Sequence, residues 1–272
     1  MSKLKNQYNS WILCKSLFIS DLTGDIETID LDSFQFKKGL EFPGLNKNLR
    51  LGKVVERFLS FALNSSSNYR LLEENFQIIK DGITLGELDF IIEDLRKKEI
   101  FHLELVHKFY LFKPGSNKVK PEDFVGPNLN DSLDKKLLKL KEKQFPIIHE
   151  SFCSKTLLER GINTKELKQK LLFTGSVFIH HLEQTRISIL NKNCIHGVWM
   201  RANEFLELDK EGDQYYLPQK SDWLGDPNGL KVWAEQEKFW KDLRSELQNR
   251  YSPMVWKKSK EKIQRIFVVW WD

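Results

Sequence analysis

The stretch 81-DGITLGELDFIIEDLRKKEIFHLELVHKFYL-111 decides the fold, because it reads as two β-strands joined by a short turn. Side chains in a strand point alternately to opposite faces. Gly86, Leu88 and the following even positions share one face of the first strand, and the odd positions from Phe101 form an apolar face of the second. Centring the turn between residues 96 and 97 lets both apolar faces bury together, so we predict an antiparallel hairpin in that register.

This register places two acids together, with Asp89 directly opposite Glu104. Cβ atoms of such partners lie about 4.5–5.5 Å apart. Carboxylates that close repel each other unless a cation or a shared proton lies between them. Because Mg²⁺ and Mn²⁺ prefer oxygen ligands, the pair predicts a divalent metal site. Glu56, at the edge of the apolar stripe of the preceding helix, is the candidate third ligand, and all three carboxyl groups should converge on one ion.

The simpler alternative is that Asp89 and Glu104 are solvated residues on the wet face of the hairpin. His102 shares this polar face with Glu104 and is a candidate phosphate contact. His107 lies on the apolar face, where a buried core histidine is the ordinary interpretation. His180 and His181 would face opposite sides if they lay in one strand, so we do not expect them to bind a metal together.

Lysines near the acids are candidates for the chemistry of phosphodiester hydrolysis. Lys108 shares the strand face of Glu104 and is expected to orient the attacking water or neutralise developing charge. Lysines recur through 135–143, where a solvated helix face is the ordinary interpretation and phosphate contact the alternative. Lys136 and Gln144 are the candidates in this helix for contact with a substrate in the same pocket.

The composition is that of an ordinary folded protein, with 40% hydrophobic and 30% charged residues in 272. The net charge of +5 permits nucleic acid as a partner without requiring it. Three distant cysteines, Cys14, Cys153 and Cys194, argue against a disulfide framework or a zinc–thiolate site and favour the cytoplasm. No apolar run reaches the roughly 18 residues that span a membrane.

Apolar periodicity predicts alternating helices and strands along the chain. We assign residues 1–150 to a core, and residues 151–272 to a C-terminal α+β region packed against that core. The predicted helices are 11–19, 49–63, 131–148 and 229–251, and the further predicted strands are 76–79, 171–180, 194–200 and 265–271.

The acids, in this order, resemble the PD-(D/E)XK nuclease superfamily over residues 49–144. The resemblance implies an α/β, mixed α+β fold, in which a central mixed β-sheet is flanked by helices in a restriction-endonuclease-like core, here with a C-terminal strand and helix extension. It also implies Mg²⁺ or Mn²⁺ as cofactor and nucleic acid as substrate or ligand. The superfamily places lysine two residues after the second acid, where this chain has Val106. Lys108 lies about 6.6 Å further along the strand. Gln144 is similar to a glutamine of the exonuclease-like members.

A more extensive resemblance is to a bacterial family of uncharacterised proteins, the domain of unknown function numbered 1853. It implies little about function beyond a nuclease-like fold. The segments that carry it are LGKVVERFLSFAL (51–63), TLGELDFII (84–92), HLELVHKFYL (102–111), GPNLNDSLDKKL (126–137), the pair at 143–144 and GVW (197–199).

Three functions are compatible with these patterns. The first is a metal-dependent phosphodiesterase that acts on nucleic acid through Asp89, Glu104 and Lys108. The second is a catalytically inactive nucleic-acid-binding or interaction module on the same fold, which the displaced lysine motivates. The third is a glycosidase, which would use two acids about 5–9.5 Å apart. The strandedness of the substrate and any protein partner stay open.

Overall fold

The computed structural model describes residues 3–18, 24, 26–37, 40, 42, 44, 49–113, 118–184, 187–229 and 232–271. Within these ranges the chain forms six α-helices and ten β-strands. The helices are α1 Lys3–Trp11, α2 Leu51–Asn64, α3 Leu133–Lys139, α4 Ser151–Glu159, α5 Ala202–Glu207 and α6 Gln236–Gln248. The strands are β1 Glu27–Thr28, β2 Tyr69–Lys80, β3 Ile83–Asp94, β4 Glu99–Phe112, β5 Phe124–Val125, β6 Lys168–His180, β7 Ile195–Arg201, β8 Gln214–Tyr216, β9 Met254–Ser259 and β10 Lys262–Val269.

The described strands join in one mixed sheet in the order β2-β3-β4-β6-β7-β10-β9-β8, with β1 beside β6 and β5 beside β4. The central pairs β4–β6, β6–β7 and β7–β10 are parallel, whereas the outer pairs are antiparallel. This is the mixed α+β fold with a central mixed sheet that the sequence predicts. The predicted boundary at residue 150 falls between two adjacent strands of this sheet, since β4 pairs with β6 from Phe101↔Lys168 to Phe112↔Ile179.

Helices cover both faces of the sheet at β4. Phe58 of α2 belongs to the core that contains Leu103. Val106 and Tyr110, which point to the other face, pack in a second core with Leu133 of α3. The expectation of a wet face on this strand is therefore wrong. Because β4 is paired in parallel with β6, it lies inside the sheet, and parallel sheets are covered on both faces.

Most predicted elements are found, with shifted ends. The 49–63 helix is α2, and the 76–79 strand is part of the longer β2. The 229–251 helix is found as α6, and its residues 230 and 231 lie outside the described residues. Every helix in the described ranges is too short or too polar to cross a bilayer.

Two helix predictions are wrong in part. The 11–19 helix is not found, because α1 ends at Trp11 and the backbone N–H of Leu17 donates to the Phe173 carbonyl of β6 at 2.7 Å; residue 19 lies outside the described residues. The 131–148 helix divides into α3, a π-helical turn Leu140–Gln144 and a 3-10 turn Pro146–His149.

Candidate functional site

The two predicted ligand carboxylates lie at a fork between β3 and β4. Phe90 pairs with Leu103, which is the register predicted from the sequence, and this pair is the last before the strands separate. The next positions are Asp89 and Glu104. The backbone N–H of Leu105 donates to Asp89 Oδ2 at 2.9 Å. The fork therefore places one carboxylate from each strand close enough for the charge of Glu104 to act on Asp89.

Glu104 is fully buried, so the interpretation of this acid as a solvated surface residue is wrong. Its Oε2 accepts a hydrogen bond from Gln144 Nε2 at 2.5 Å. Its Oε1 has no hydrogen-bond partner and lies 3.2 Å from His102 Nε2. His102 is also fully buried, and Gln169 Nε2 lies 3.4 Å from its Nδ1. The expectation that His102 contacts phosphate therefore does not fit its position, since the ring is fully buried beside Glu104.

Gln144 reaches Glu104 because it ends a π-helical turn. The Phe145 N–H donates to the Leu140 carbonyl at 3.0 Å, across five residues instead of four. Such turns insert one residue into a helix, reorient the following side chains and are frequent at functional sites. Gln144 Oε1 accepts a hydrogen bond from Lys136 Nζ at 2.6 Å. Lys136, Gln144 and Glu104 thus form one hydrogen-bonded chain across the site.

Burial and like charge dominate the electrostatics of the fork. Removal from water, followed by the charge of Glu104, raises the pKa of Asp89 well above its usual range, and the Leu105 hydrogen bond opposes this. Burial lowers the pKa of Lys136 to about 8, although the charge of Glu104 acts in the opposite direction. An acid with a raised pKa, a buried acid and a lysine with a lowered pKa therefore lie close together, and perturbed pKa values of this kind cluster at functional sites.

The two carboxylates fit a hard divalent cation. Both supply oxygen ligands, Glu104 Oε1 is buried without a hydrogen-bond partner, and Asp89 lies against the charge of Glu104. A cation between these two acids would satisfy the free oxygen and remove the repulsion. The fit rests on these two residues alone.

Glu56 does not join them in this structure. Its Oε2 lies 2.7 Å from Lys53 Nζ, and the same ammonium lies 2.7 Å from Glu87 Oε1. Burial raises the pKa of Glu56, and Lys53 opposes the rise. Among the described residues, the three-ligand group found within 4.8 Å lies elsewhere, so Glu56, Asp89 and Glu104 do not meet at that distance. A role for Glu56 as a metal ligand stays a prediction that requires Lys53 to move.

Lys108 points to the face of Glu104 but is held by another acid. Its Nζ lies 2.5 Å from Asp131 Oδ2, and its side chain is 37% exposed. Its role in orienting water stays a prediction. The lysine that is linked to Glu104 is Lys136, through Gln144, whereas the sequence pattern favours Lys108. The sequence feature that points to Lys136 is its position beside the apolar stripe of α3, which partly buries it.

A mixed sheet covered by helices on both faces, with a buried carboxylate–lysine cluster at a strand fork, defines an α+β protein with a candidate metal site. The chain belongs to the family described as Domain of unknown function (DUF1853), whose sequence profile matches residues 20–269. No curated protein and no solved structure matches the chain. The resemblance to PD-(D/E)XK nucleases stays an expectation from the sequence pattern, which these comparisons do not confirm.

Proposed function

We propose that this protein is a metal-dependent phosphodiesterase that acts on nucleic acid. The observation that carries the proposal is the grouping of Asp89, Glu104 and Lys136 at the fork between β3 and β4, where Gln144 links Lys136 to Glu104. Hydrolysis of a phosphodiester needs oxygen ligands for a cation and a positive group for the charge of the transition state. The pocket supplies both kinds of group.

Each side chain has a proposed role. Asp89 and Glu104 would hold Mg²⁺ or Mn²⁺, with Glu56 as a further ligand once it leaves Lys53. The bound cation would supply Lewis acidity and lower the pKa of a water molecule. Gln144 holds the buried carboxylate of Glu104 in place through its 2.5 Å hydrogen bond. Lys136 places an ammonium where it can neutralise charge that develops on phosphate.

Lysines on the outer side of the same segment support nucleic acid as the substrate. Lys135 and Lys139 of α3, and Lys141 and Lys143 of the π-helical turn, are exposed to solvent. They surround the two residues of this segment that face inward to the acids. Exposed lysines beside a phosphodiester pocket can contact neighbouring phosphates, and such contacts release counterions and make affinity depend on salt.

An inactive nucleic-acid-binding module is the second candidate. It is favoured by the sequence position two residues after Glu104, where Val106 is buried and carries no charge. It is also favoured by Lys108, whose ammonium is engaged by Asp131. In that case the exposed lysines bind phosphate, and the acids serve only the structure.

A cytoplasmic location accompanies the proposal. Cys14, Cys153 and Cys194 are all free thiols. Burial raises the pKa of Cys14 and of Cys153 to about 11, so these thiols are protonated and unreactive near neutrality. Free, unreactive thiols fit a reducing compartment.

A cleavage assay separates the two candidates. Single-stranded, duplex and branched DNA and RNA are incubated with the protein and Mg²⁺ or Mn²⁺, and Asp89→Asn and Glu104→Gln should each reduce cleavage by about 100-fold or more. Glu142→Gln, an exposed acid of the π-helical turn, is the matched control and should cleave as wild type. Salt-sensitive binding without cleavage would favour the inactive module. Neither cleavage nor binding would overturn both.

A further inference from the structure

A second group of metal-ligating side chains lies outside the carboxylate fork. Among the described residues, it is His180, His181 and Glu204 whose ligand atoms all lie within 4.8 Å of one another. His180 Nε2 lies 3.1 Å from Glu204 Oε2, and His181 Nε2 lies 3.6 Å from Glu204 Oε1. Between 14% and 17% of each side chain is exposed, so the group is largely buried but open to solvent.

Both rings reach one carboxylate because the strand stops between them. His180 and His181 would face opposite sides only if both lay in one strand, and that condition is not met, since β6 ends at His180 and His181 begins a turn. The ring centroids lie 4.7 Å apart. The His180 ring packs edge-on against Trp199 at 4.5 Å, and Trp199 Nε1 donates to the Phe112 carbonyl at 2.9 Å. Packing thus fixes the direction in which His180 presents its ring nitrogens.

Glu204 is held in place beside these rings by Arg201. The Arg201 backbone N–H donates to Glu204 Oε2 at 2.6 Å, and Arg201 Nη1 lies 3.2 Å from Oε1. The position of the carboxylate is therefore fixed before any ligand arrives.

The spacing of the ligand atoms matches a four-coordinate metal. Zinc–nitrogen bonds of about 2.0–2.1 Å in tetrahedral geometry place neighbouring ligand atoms about 3.3–3.4 Å apart. Measured to the same oxygen, Glu204 Oε1, the distances are 3.2 Å from His180 Nε2 and 3.6 Å from His181 Nε2, on either side of that value. His181 Nε2 is buried and has no hydrogen-bond partner. A buried nitrogen without a partner is costly, and a metal ion would satisfy it.

We propose that His180, His181 and Glu204 bind a divalent transition metal ion of the Zn²⁺ class, with a fourth position open to water. Two imidazoles and one carboxylate are the ligand set of many catalytic zinc sites. The set differs from the all-oxygen pair at the β3–β4 fork, which suits Mg²⁺ or Mn²⁺.

The position in the sheet also suits a ligand site. His180 ends β6, and Glu204 lies in the first turn of α5, three residues after the end of the parallel neighbour β7. The carboxyl ends of parallel strands are where open sheets bind ligands. Glu104 of β4 pairs with Leu171 of β6. Because Leu171 precedes His180 by nine positions, the two sites lie about 30 Å apart along the strands.

Arg201 is the group that a bound metal would displace. Its guanidinium lies beside Glu204 Oε1, where it would repel a divalent cation, and its side chain is 36% exposed. It can therefore turn to solvent while its backbone N–H keeps Glu204 in place. Removing this charge with Arg201→Gln should tighten metal binding.

Metal titration of the full chain, first stripped with a chelator, tests the proposal. Co²⁺ is the spectroscopic probe, because four-coordinate Co²⁺ absorbs strongly in the visible, and Zn²⁺ competition gives the affinity. We expect one Co²⁺ in such a site. His181→Ala should raise the Zn²⁺ dissociation constant by at least about 100-fold, since partners outside the ligand set already account for 10–100-fold. His149→Ala removes an exposed histidine and is the matched control.

Further variants keep the outcome clear. His180→Ala should give the same loss as His181→Ala, and circular dichroism establishes that each variant is folded. Asp89→Asn should bind Zn²⁺ as wild type does, so a failure of the nuclease proposal leaves this test intact. The proposal is overturned if wild type gives no four-coordinate Co²⁺ spectrum. It is equally overturned if both histidine variants bind as wild type, or if only Asp89→Asn loses the metal.

Discussion

Replacing Asp89 by asparagine should stabilise the metal-free protein at neutral pH. Burial and the charge of Glu104 raise the pKa of Asp89 in the folded state. Above about pH 4 the unfolded chain releases this proton while the folded protein keeps it. The free energy of unfolding of wild type therefore falls as the pH rises toward the folded pKa, by up to about 1.4 kcal/mol per pH unit. Asparagine cannot titrate, so the variant lacks this loss.

The measurement is urea denaturation of both proteins from pH 4 to pH 8 in the presence of a chelator. At each pH, the free energy of unfolding of wild type is subtracted from that of Asp89→Asn. This difference cancels the contribution of every group that titrates in both proteins. The difference should be smallest at pH 4, rise with a slope of up to about 1.4 kcal/mol per unit for one proton, and become flat above the folded pKa. Glu142→Gln, which removes an exposed acid outside the fork, is the matched control.

Saturating Mn²⁺ should reverse the order of stability. The ion stabilises a protein that binds it only when folded, by about 2.7 kcal/mol at a concentration 100 times its dissociation constant. Wild type should gain this stability, and Asp89→Asn should not. A difference between the two metal-free proteins that stays flat, or that falls as the pH rises, would refute the picture of a carboxylate strained by burial and by Glu104.

Three further perturbations probe the fold and the site. Gly197→Ala should lower the free energy of unfolding by about 1–3 kcal/mol, because the added Cβ would lie 2.2 Å from the Arg265 carbonyl oxygen. Gly52→Ala in α2 is the control: its Cβ meets no atom within 4 Å, so it should raise the free energy of unfolding by up to about 1 kcal/mol. Urea denaturation at pH 7 measures both variants. Burial lowers the pKa of His107 to about 3, so below about pH 6.5 the unfolded chain binds a proton that the folded protein does not. The free energy of unfolding of wild type should therefore fall by up to about 1.4 kcal/mol per pH unit, and that of His107→Gln should fall less over the same pH titration. Lys136→Met, which keeps the apolar stem, should raise metal-free stability at pH 7 by ~1–3 kcal/mol because it removes a buried charge, and it should reduce nucleic-acid cleavage in the same preparation.

The local features of the site could be predicted from the sequence. The pairing of Phe90 with Leu103 follows from strand alternation and the position of the turn, and it brings Asp89 and Glu104 to the fork. Their burial could not be predicted in the same way. The alternating polar residues of β4 look solvated, and the helix that covers Glu104 begins only at Leu133. Which strand face a distant helix covers is a property of tertiary packing.

The missed features have local physical causes that periodicity does not reveal. The pattern of apolar residues in a helix does not reveal where a π-helical turn inserts one residue. The contact of Gln144 with Glu104 therefore could not be predicted from that pattern. Likewise, the sequence predicts a strand that ends at His180 but leaves open whether His181 continues it, and strand alternation would then place the two rings on opposite faces. Strand ends are the least certain part of such assignments. Here one residue decides whether the two rings face Glu204 together.

Titration with Mn²⁺, followed by the electron paramagnetic resonance signal of the free ion, tests the central claim most directly. The titration is made in a His181→Ala background, so that the histidine group does not contribute. The parent should bind one Mn²⁺, and Asp89→Asn and Glu104→Gln should each abolish this binding. If both variants bind Mn²⁺ as the parent does, or if the parent binds none, the carboxylates at the β3–β4 fork do not form a metal site.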